Sequence, residues 1–315
     1  MSPSATAGRR KSSRRRLYAI GILGLWLAGL GMLARREFFR PHLERLAEAA
    51  LRVNQATTFF AVSRDSGLVG YASSVIDTTT TSITITDYLV TEISGPRPRS
   101  TTRAKINLSR TLKLRDFESS VLSNSVDIRA SGKVLGDTLL TFTVTSSGKQ
   151  ASSRSIRLDG PVLLPQLVPL AIALTKTPEV GRDYAFPVFD PARQEVVQVQ
   201  STIRAESVFV IPDSAKLDST THRWVAARED TLRAWLVTSS AGGFNGWLDE
   251  AGHVVKTTEL GSNVDRTTYE QSFENWVLTT TERRLRGLPP SERHPGWKPF
   301  IPSPKRRGLP PPLNP

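Results

Sequence analysis

Hydrophobic positions along this chain of 315 residues follow three successive regimes. The first is a continuous apolar run at residues 17–34, LYAIGILGLWLAGLGMLA, with no charge in it. Eighteen residues at ~1.5 Å rise make about 27 Å of helix, close to a bilayer's hydrocarbon thickness. Each charge at mid-bilayer would cost roughly 2.5 to 3.5 kcal/mol, and its glycines are tolerated where unpaired backbone is worse. The run therefore predicts a transmembrane helix rather than a core helix, because no comparable helix follows for it to pack against.

The second regime has helical period. Over residues 41–53, Leu43, Leu46, Ala50 and Val53 recur on one side, with Glu44, Arg45, Glu48 and Arg52 on the other. This predicts a short amphipathic helix that lies on the membrane surface or caps the following domain.

From Thr57 onward the period is two. Ile83, Ile85, Leu89 and Ile93 share one face against Thr84, Thr86 and Tyr88. Leu140, Phe142 and Val144 alternate with threonines, and Val197, Val199, Ile203 and Ala205 repeat the pattern. Leu232, Ala234 and Leu236 face away from Arg233, Trp235 and Val237. Such alternation marks half-buried antiparallel strands. Asp65-Ser66-Gly67, Ser131-Gly132, Ser147-Gly148 and Glu250-Ala251-Gly252 supply turn chemistry between runs. Trp247 to Val255 reads as a tight hairpin. A helix is expected near residues 163–174, with Pro169 as a potential break, and residues 269–286 read as a last strand running into a helix.

Five segments follow: a basic N-terminus (1–16), a transmembrane signal-anchor (17–34), an amphipathic helix and linker (35–56), an exported β domain (57–281) and a disordered Pro/Arg-rich tail (282–315). The fold class is mainly β: a large curved antiparallel sheet, half-barrel or sandwich-like, with one or two short helices.

The opening hairpin, Phe59-Phe60-Ala61-Val62 then Gly67-Leu68-Val69-Gly70-Tyr71, resembles that of an uncharacterised bacterial exported β domain. That domain is often found upstream of transglutaminase-like domains in membrane-anchored proteins. Gly136-Asp137-Thr138-Leu139, Leu158-Asp159-Gly160-Pro161, Tyr184 through Pro191 and Trp247 through Gly252 extend the resemblance over residues 57–276. It implies a half-barrel related in shape to periplasmic lipoprotein carriers, and it brings no catalytic residues. The chain departs from that architecture by ending in a proline-rich tail where the enzyme would stand.

The net charge of +13 changes this picture less than its size suggests. Residues 1–56 carry +8, residues 282–315 carry +6, and the β body between them carries −1. A nucleic-acid-binding domain should carry its own basic face, so no nucleic-acid partner is expected. The N-terminal excess instead sets topology: six basic residues precede the apolar run and three (Arg35, Arg36, Arg40) follow closely. This predicts a single-pass protein of the inner membrane, N-terminus in the cytoplasm and β domain periplasmic or otherwise extracytoplasmic. Leu33-Ala34 followed by Arg35-Arg36 is a poor cleavage context, so the anchor reads as retained. Ser13 to Leu17 resembles a twin-arginine signal, although a plain positive-inside block explains the same residues. The tail holds ten of the 21 prolines and reads as solvated, with Trp297 and Phe300 as its one hint of docking.

Candidate chemistry is sparse. With no cysteine, thiolate catalysis, thiolate zinc sites and disulfides are excluded. The histidines, His42, His222, His253 and His294, form no short-spaced pair. Asp249-Glu250 and Asp190-Pro191 read as turns, and Ser239 to Gly243 as a loop. Arg223-Trp224 and Arg233-x-Trp235 can support cation–π stacking. No catalytic, cofactor-binding or metal residue is assigned. The expectation is a non-enzymatic interaction or scaffold module of the cell envelope, with an envelope protein or lipid as partner. The alternatives are a carrier of lipophilic ligands in an apolar groove, and a hydrolase whose site converges from distant strands.

Overall fold

The computed structural model describes residues 53–287, apart from 66, 93–98, 124–125, 148–150, 176, 241–242 and 260. The expected membrane span, the amphipathic helix up to residue 52 and the tail from residue 288 lie outside the described residues. Among the described residues, no helix is long and apolar enough to cross a membrane.

Two antiparallel meanders meet at a central seam. The first comprises β1 (Ala56–Arg64), β2 (Gly67–Thr78), β3 (Ser82–Glu92), β4 (Arg99–Ser109), β5 (Leu114–Leu122), β6 (Asp127–Leu135), β7 (Leu139–Ser146) and β8 (Ser152–Arg157). The second comprises β9 (Asp183–Asp190), β10 (Glu195–Leu217), β11 (Trp224–Ser239), β12 (Gly246–Asp249), β13 (Val254–Glu259) and β14 (Ser262–Thr267). Each strand pairs with its neighbours in sequence, and β1 pairs with β14, giving one open sheet of 14 strands with β8 and β9 at its edges.

Alternation along each strand sorts side chains into rows across the inner face. One row runs Ile76, Ile85, Ile106, Phe117, Gly132, Phe142 over β2 to β7. Gly132 is flanked by the two phenylalanines, and its missing side chain is what lets Phe117 lie over it. Phe189 of edge strand β9 then meets Phe142 at 4.9 Å and Phe117 at 5.8 Å between ring centroids. The two ends of the sheet therefore face each other across one apolar core. Ser131-Gly132, expected as a turn, lies inside β6: this glycine is required by packing, not by a positive φ.

The connection between β8 and β9 fills the space this leaves. Leu163 bridges to β9, with Leu163 N–H donating to Pro187 O at 2.9 Å and Phe189 N–H to Leu163 O at 2.8 Å. A 3₁₀ turn at Pro165–Leu167 continues into α1 (Val168–Thr175). Pro169 falls in the first turn of α1, where a missing N–H costs nothing, so it does not break the helix. α1 is apolar on all sides because it is surrounded: Val168, Ala171 and Ile172 are buried.

Strands β10 and β11 outrun their outer neighbours and continue as a two-stranded ribbon. A bulge at Arg204 places Ala205 opposite Leu236 while Ile203 stays opposite Val237. The expected single face through Ile203 and Ala205 is thus split, since one extra residue reverses every later side chain. Trp235 and Val237, expected to face away from Leu232, Ala234 and Leu236, are the ones in the main core.

Residues 269–286 hold no strand. A π-helical turn, Glu270–Glu274, leads into α2 (Asn275–Gly287), which continues past residue 281 where the tail was expected to begin. Its aromatic residues cover the outer face at the seam: Tyr269 meets Phe59 at 5.4 Å, while Phe273 and Trp276 meet Tyr71 at 4.9 and 5.1 Å. The ribbon folds back onto α2. Asn275 exchanges both amide hydrogen bonds with the Trp224 backbone at 2.9 Å, and Arg223 donates to Thr279 and Glu282. Arg223 is therefore engaged by α2, whereas Arg233 sits 5.3 Å from the Trp235 ring centroid as a cation–π pair.

Gly132→Ala should destabilise the full chain by about 1–3 kcal/mol, because the new methyl displaces the Phe117 ring. Urea denaturation should show that loss shrinking in a Phe117→Leu background. An equal loss in both backgrounds would refute the packing role of Gly132.

Candidate functional site

The next rows of the inner face mix short side chains with a few large ones. Thr58, Ser74, Asp87 and Ala104 form one row over β1 to β4, and Phe60, Ala72, Leu89 and Thr102 form the next. Phe60 and Leu89 are large, but Thr58, Ala72, Ser74, Thr102 and Ala104 are short where the core row has isoleucine and phenylalanine, and space is left unfilled beside them. The result is a groove of about 290 Å³, floored by these strands and roofed by Pro169 and Leu170 of α1. Phe244 and Val254 close its sides, and exposed Gln166 stands at its edge. Its lining is predominantly apolar, in keeping with ligand pockets generally, and its size is at the small end of their range of roughly 300–1,000 Å³.

Polar groups enter the groove at two places. On the floor, the Ser74 hydroxyl donates to Asp87 Oδ1 at 2.6 Å. At the side stands His253, carried by the β12–β13 turn. That turn is set by two local features. Asp249 Oδ1 accepts the backbone N–H groups of Ala251 and His253 at 3.0 and 2.8 Å. Gly252 adopts φ +82°, and a Cβ there would lie 2.8 Å from Leu170 Cα and 2.9 Å from Pro169 O. The turn is thereby seated directly against α1.

Asp249 Oδ2 faces His253 Nδ1 at 3.3 Å and accepts from Arg266 Nη1 at 2.8 Å. Arg266 belongs to β14 and pairs across the seam with Phe60. Burial by itself would raise the Asp249 pKa, but the His253 ring and backbone N–H, together with the Arg266 charge, outweigh it and hold the carboxyl below its ordinary value. Asp249 is thus an ionised anchor shared by a histidine and an arginine.

Sequence reading placed Asp249 at a turn, which the structure bears out, and left its link to His253 and Arg266 unread. The other histidine in view, His222, sits at the far end of the ribbon. His42 and His294 lie outside the described residues. Asp190 Oδ1 accepts from Ala192 N–H at 2.8 Å, the turn role expected of it. Ser239 donates to Phe244 O, and Ser240 accepts from Gln200 N–H, so both hold the loop before β12. The groove hydroxyls of Ser74 and Thr257 are committed to Asp87 and to Asn245 O. Among the described residues, no hydroxyl hydrogen-bonds the His253 ring, and no three His, Cys, Asp or Glu side chains gather as a metal ion would require.

No protein-family model matches the chain, and none of the curated proteins does. Among solved structures, it is similar to a beta-barrel-like protein of the domain of unknown function DUF1849 from Brucella abortus. The two are 12% identical, the match covers 68% of this chain and 95% of that one, and the TM-score is 0.44.

Asp249 should give the fold an acid-sensitive component. Its folded pKa lies below the unfolded value of about 3.9, so its stabilisation is complete above that value and is lost as pH falls through the folded pKa. Asp249→Asn should therefore be less stable than wild type at pH 7, with the gap narrowing below about pH 4. Thermal melts across pH 2–7 check this, and a gap independent of pH would contradict it.

Proposed function

We propose that the β body is a non-catalytic binding module that holds a single apolar chain in its inner groove. The observation that carries this reading is the set of short side chains, Thr58, Ala72, Ser74, Thr102 and Ala104, at inward positions of two adjacent rows. A domain selected for stability alone would fill that space, since lost packing contacts cost free energy. The volume suits one chain rather than two. On this reading the sheet acts as a half-barrel, with α1 plugging its concave side.

The same proposal places the module outside the cytoplasm, tethered to the inner membrane by a retained helix at residues 17–34. The support is the uncharged run and the basic excess before it. A tether beside the bilayer would keep the groove close to a source of apolar ligands.

A second reading, docking to an envelope protein, draws on the ribbon. Val208 and Val210 are 61% and 62% exposed and pair with Arg233 and Thr231, on the ribbon face that continues from Trp235. The groove is the stronger support, because two exposed valines among charged residues are ordinary for a surface strand.

Ala72→Trp should fill the groove while leaving the outer face untouched. Native mass spectrometry of the full chain, extracted gently with its membrane, should detect one bound apolar molecule in wild type and none in this variant. An empty wild-type protein would sink the proposal.

A further inference from the structure

The groove has a polar end of definite chemistry. With Nδ1 turned to the ionised Asp249 carboxylate, the His253 ring donates there, and in the neutral imidazole Nε2 is left as an acceptor. Nε2 has no hydrogen-bond partner among the described residues, and the side chain is 21% exposed while lining the groove. The backbone that carries the ring, and the carboxylate it faces, are held in place. The His253 backbone N–H is tied to Asp249, the carboxylate is tied to Arg266, and Gly252 beside it is wedged against α1.

Charge narrows what this acceptor can meet. Asp249 and Arg266 offset each other at 2.8 Å, so neither stands as an unpaired charge at this end. A carboxylate head would need a cation not already paired, and an ammonium head would need an anion not already paired. A hydroxyl needs only the lone pair on Nε2.

We infer that His253 is the head-group-reading residue of the groove and that its ligand class is a single alkyl chain ending in a hydroxyl, as in a fatty alcohol or a monoacylglycerol. This rests on the groove being a site for an apolar chain, and adds which end goes where. The hydroxyl donates to His253 Nε2 at the turn, and the chain runs over Ala72 and Leu89 beneath α1.

The test uses the full chain in lipid nanodiscs and a decyl probe bearing a terminal hydroxyl and a photoactivatable diazirine. Crosslinks are mapped by peptide mass spectrometry, and competitors are ranked by their suppression of labelling on the peptide containing Ala72. 1-Decanol or 1-decanoylglycerol should compete about tenfold better than 1-methoxydecane, which cannot donate. Which of the two ranks first separates a bare alcohol from a glycerol ester. His253→Ala should keep the labelling and erase the preference, and His253→Phe, which retains ring volume, should do the same. Equal competition by the methyl ether in wild type, or an undiminished preference in both variants, would overturn the assignment. So would decylammonium ranking first, which would point to Asp87. Absence of groove labelling in every protein would remove the chain-binding reading itself, an outcome distinct from labelling without selectivity.

Discussion

Pairing of the first strand with the last is the interaction on which this structure depends. Without the β1–β14 ladder, the body would be two separate meanders, each with one more open edge. The ladder is reinforced where Arg64 donates to Ser262 Oγ at 2.9 Å, a contact between residues 198 apart in sequence. Closing so long a loop costs entropy that grows only slowly with length, by about 0.6 kcal/mol per doubling. The kinetic penalty is larger, because such contacts reward the chain only after the closure cost is met. The groove lies at this seam: Thr58 and Phe60 come from β1 and Val264 from β14, while Arg266 of β14 holds the Asp249 beside His253. The groove and the longest-range strand pairing of the fold are therefore assembled together.

Core and groove are built from the same alternation and differ only in side-chain size. In the row from Ile76 to Phe142, large residues meet until one position, Gly132, must be vacant for the rings to fit. In the rows through Ser74 and Ala72, small residues face a helix that does not descend to meet them. α1 is held away from the floor by its neighbours. The Gly252 turn supports it at one end, and the Leu163 bridge to β9 fixes the segment leading into it. Dense packing around a space of this kind makes it persist, since the walls cannot relax inward without breaking contacts elsewhere.

Much of the sheet was legible in sequence because one buried face leaves a period of two. The face assignments for Ile83, Ile85 and Leu89, and for Leu140, Phe142 and Val144, agree with the pairing observed. The hairpin through Glu250-Ala251-Gly252 was legible from its turn residues. Failures had local physical causes. Gly132 looked like a turn because a glycine vacated for a neighbouring ring has the same letter as a glycine needed for positive φ. Ala205 fell on the wrong face because a bulge is silent in periodicity. The strand expected from residue 269 is absent, and Tyr269, Phe273 and Trp276, at i, i+4 and i+7, were the helical signal that went unread. The groove was invisible for a different reason. Its signal was present as the small inward residues Ala72 and Ser74, but a small residue in a strand means a cavity only when nothing larger reaches across to it. That depends on α1 and on the seam, both fixed by tertiary contacts.

The Leu163 bridge has a consequence beyond positioning α1. An open sheet ends in two rows of unpaired backbone groups, each a template for another chain. On β9, the bridge and the neighbouring Pro187, which has no N–H to offer, blunt that row from within. On β8, the edge is only six residues long and carries Arg154 and Arg157, so two copies brought edge to edge would set like charges against each other. Growth of the sheet is thus stopped by a strap at one end and by charge at the other. A fold that never closes its hydrogen-bonded circle can in this way remain a finite particle, and a concave face can stay open to a ligand without opening its edges to polymerisation.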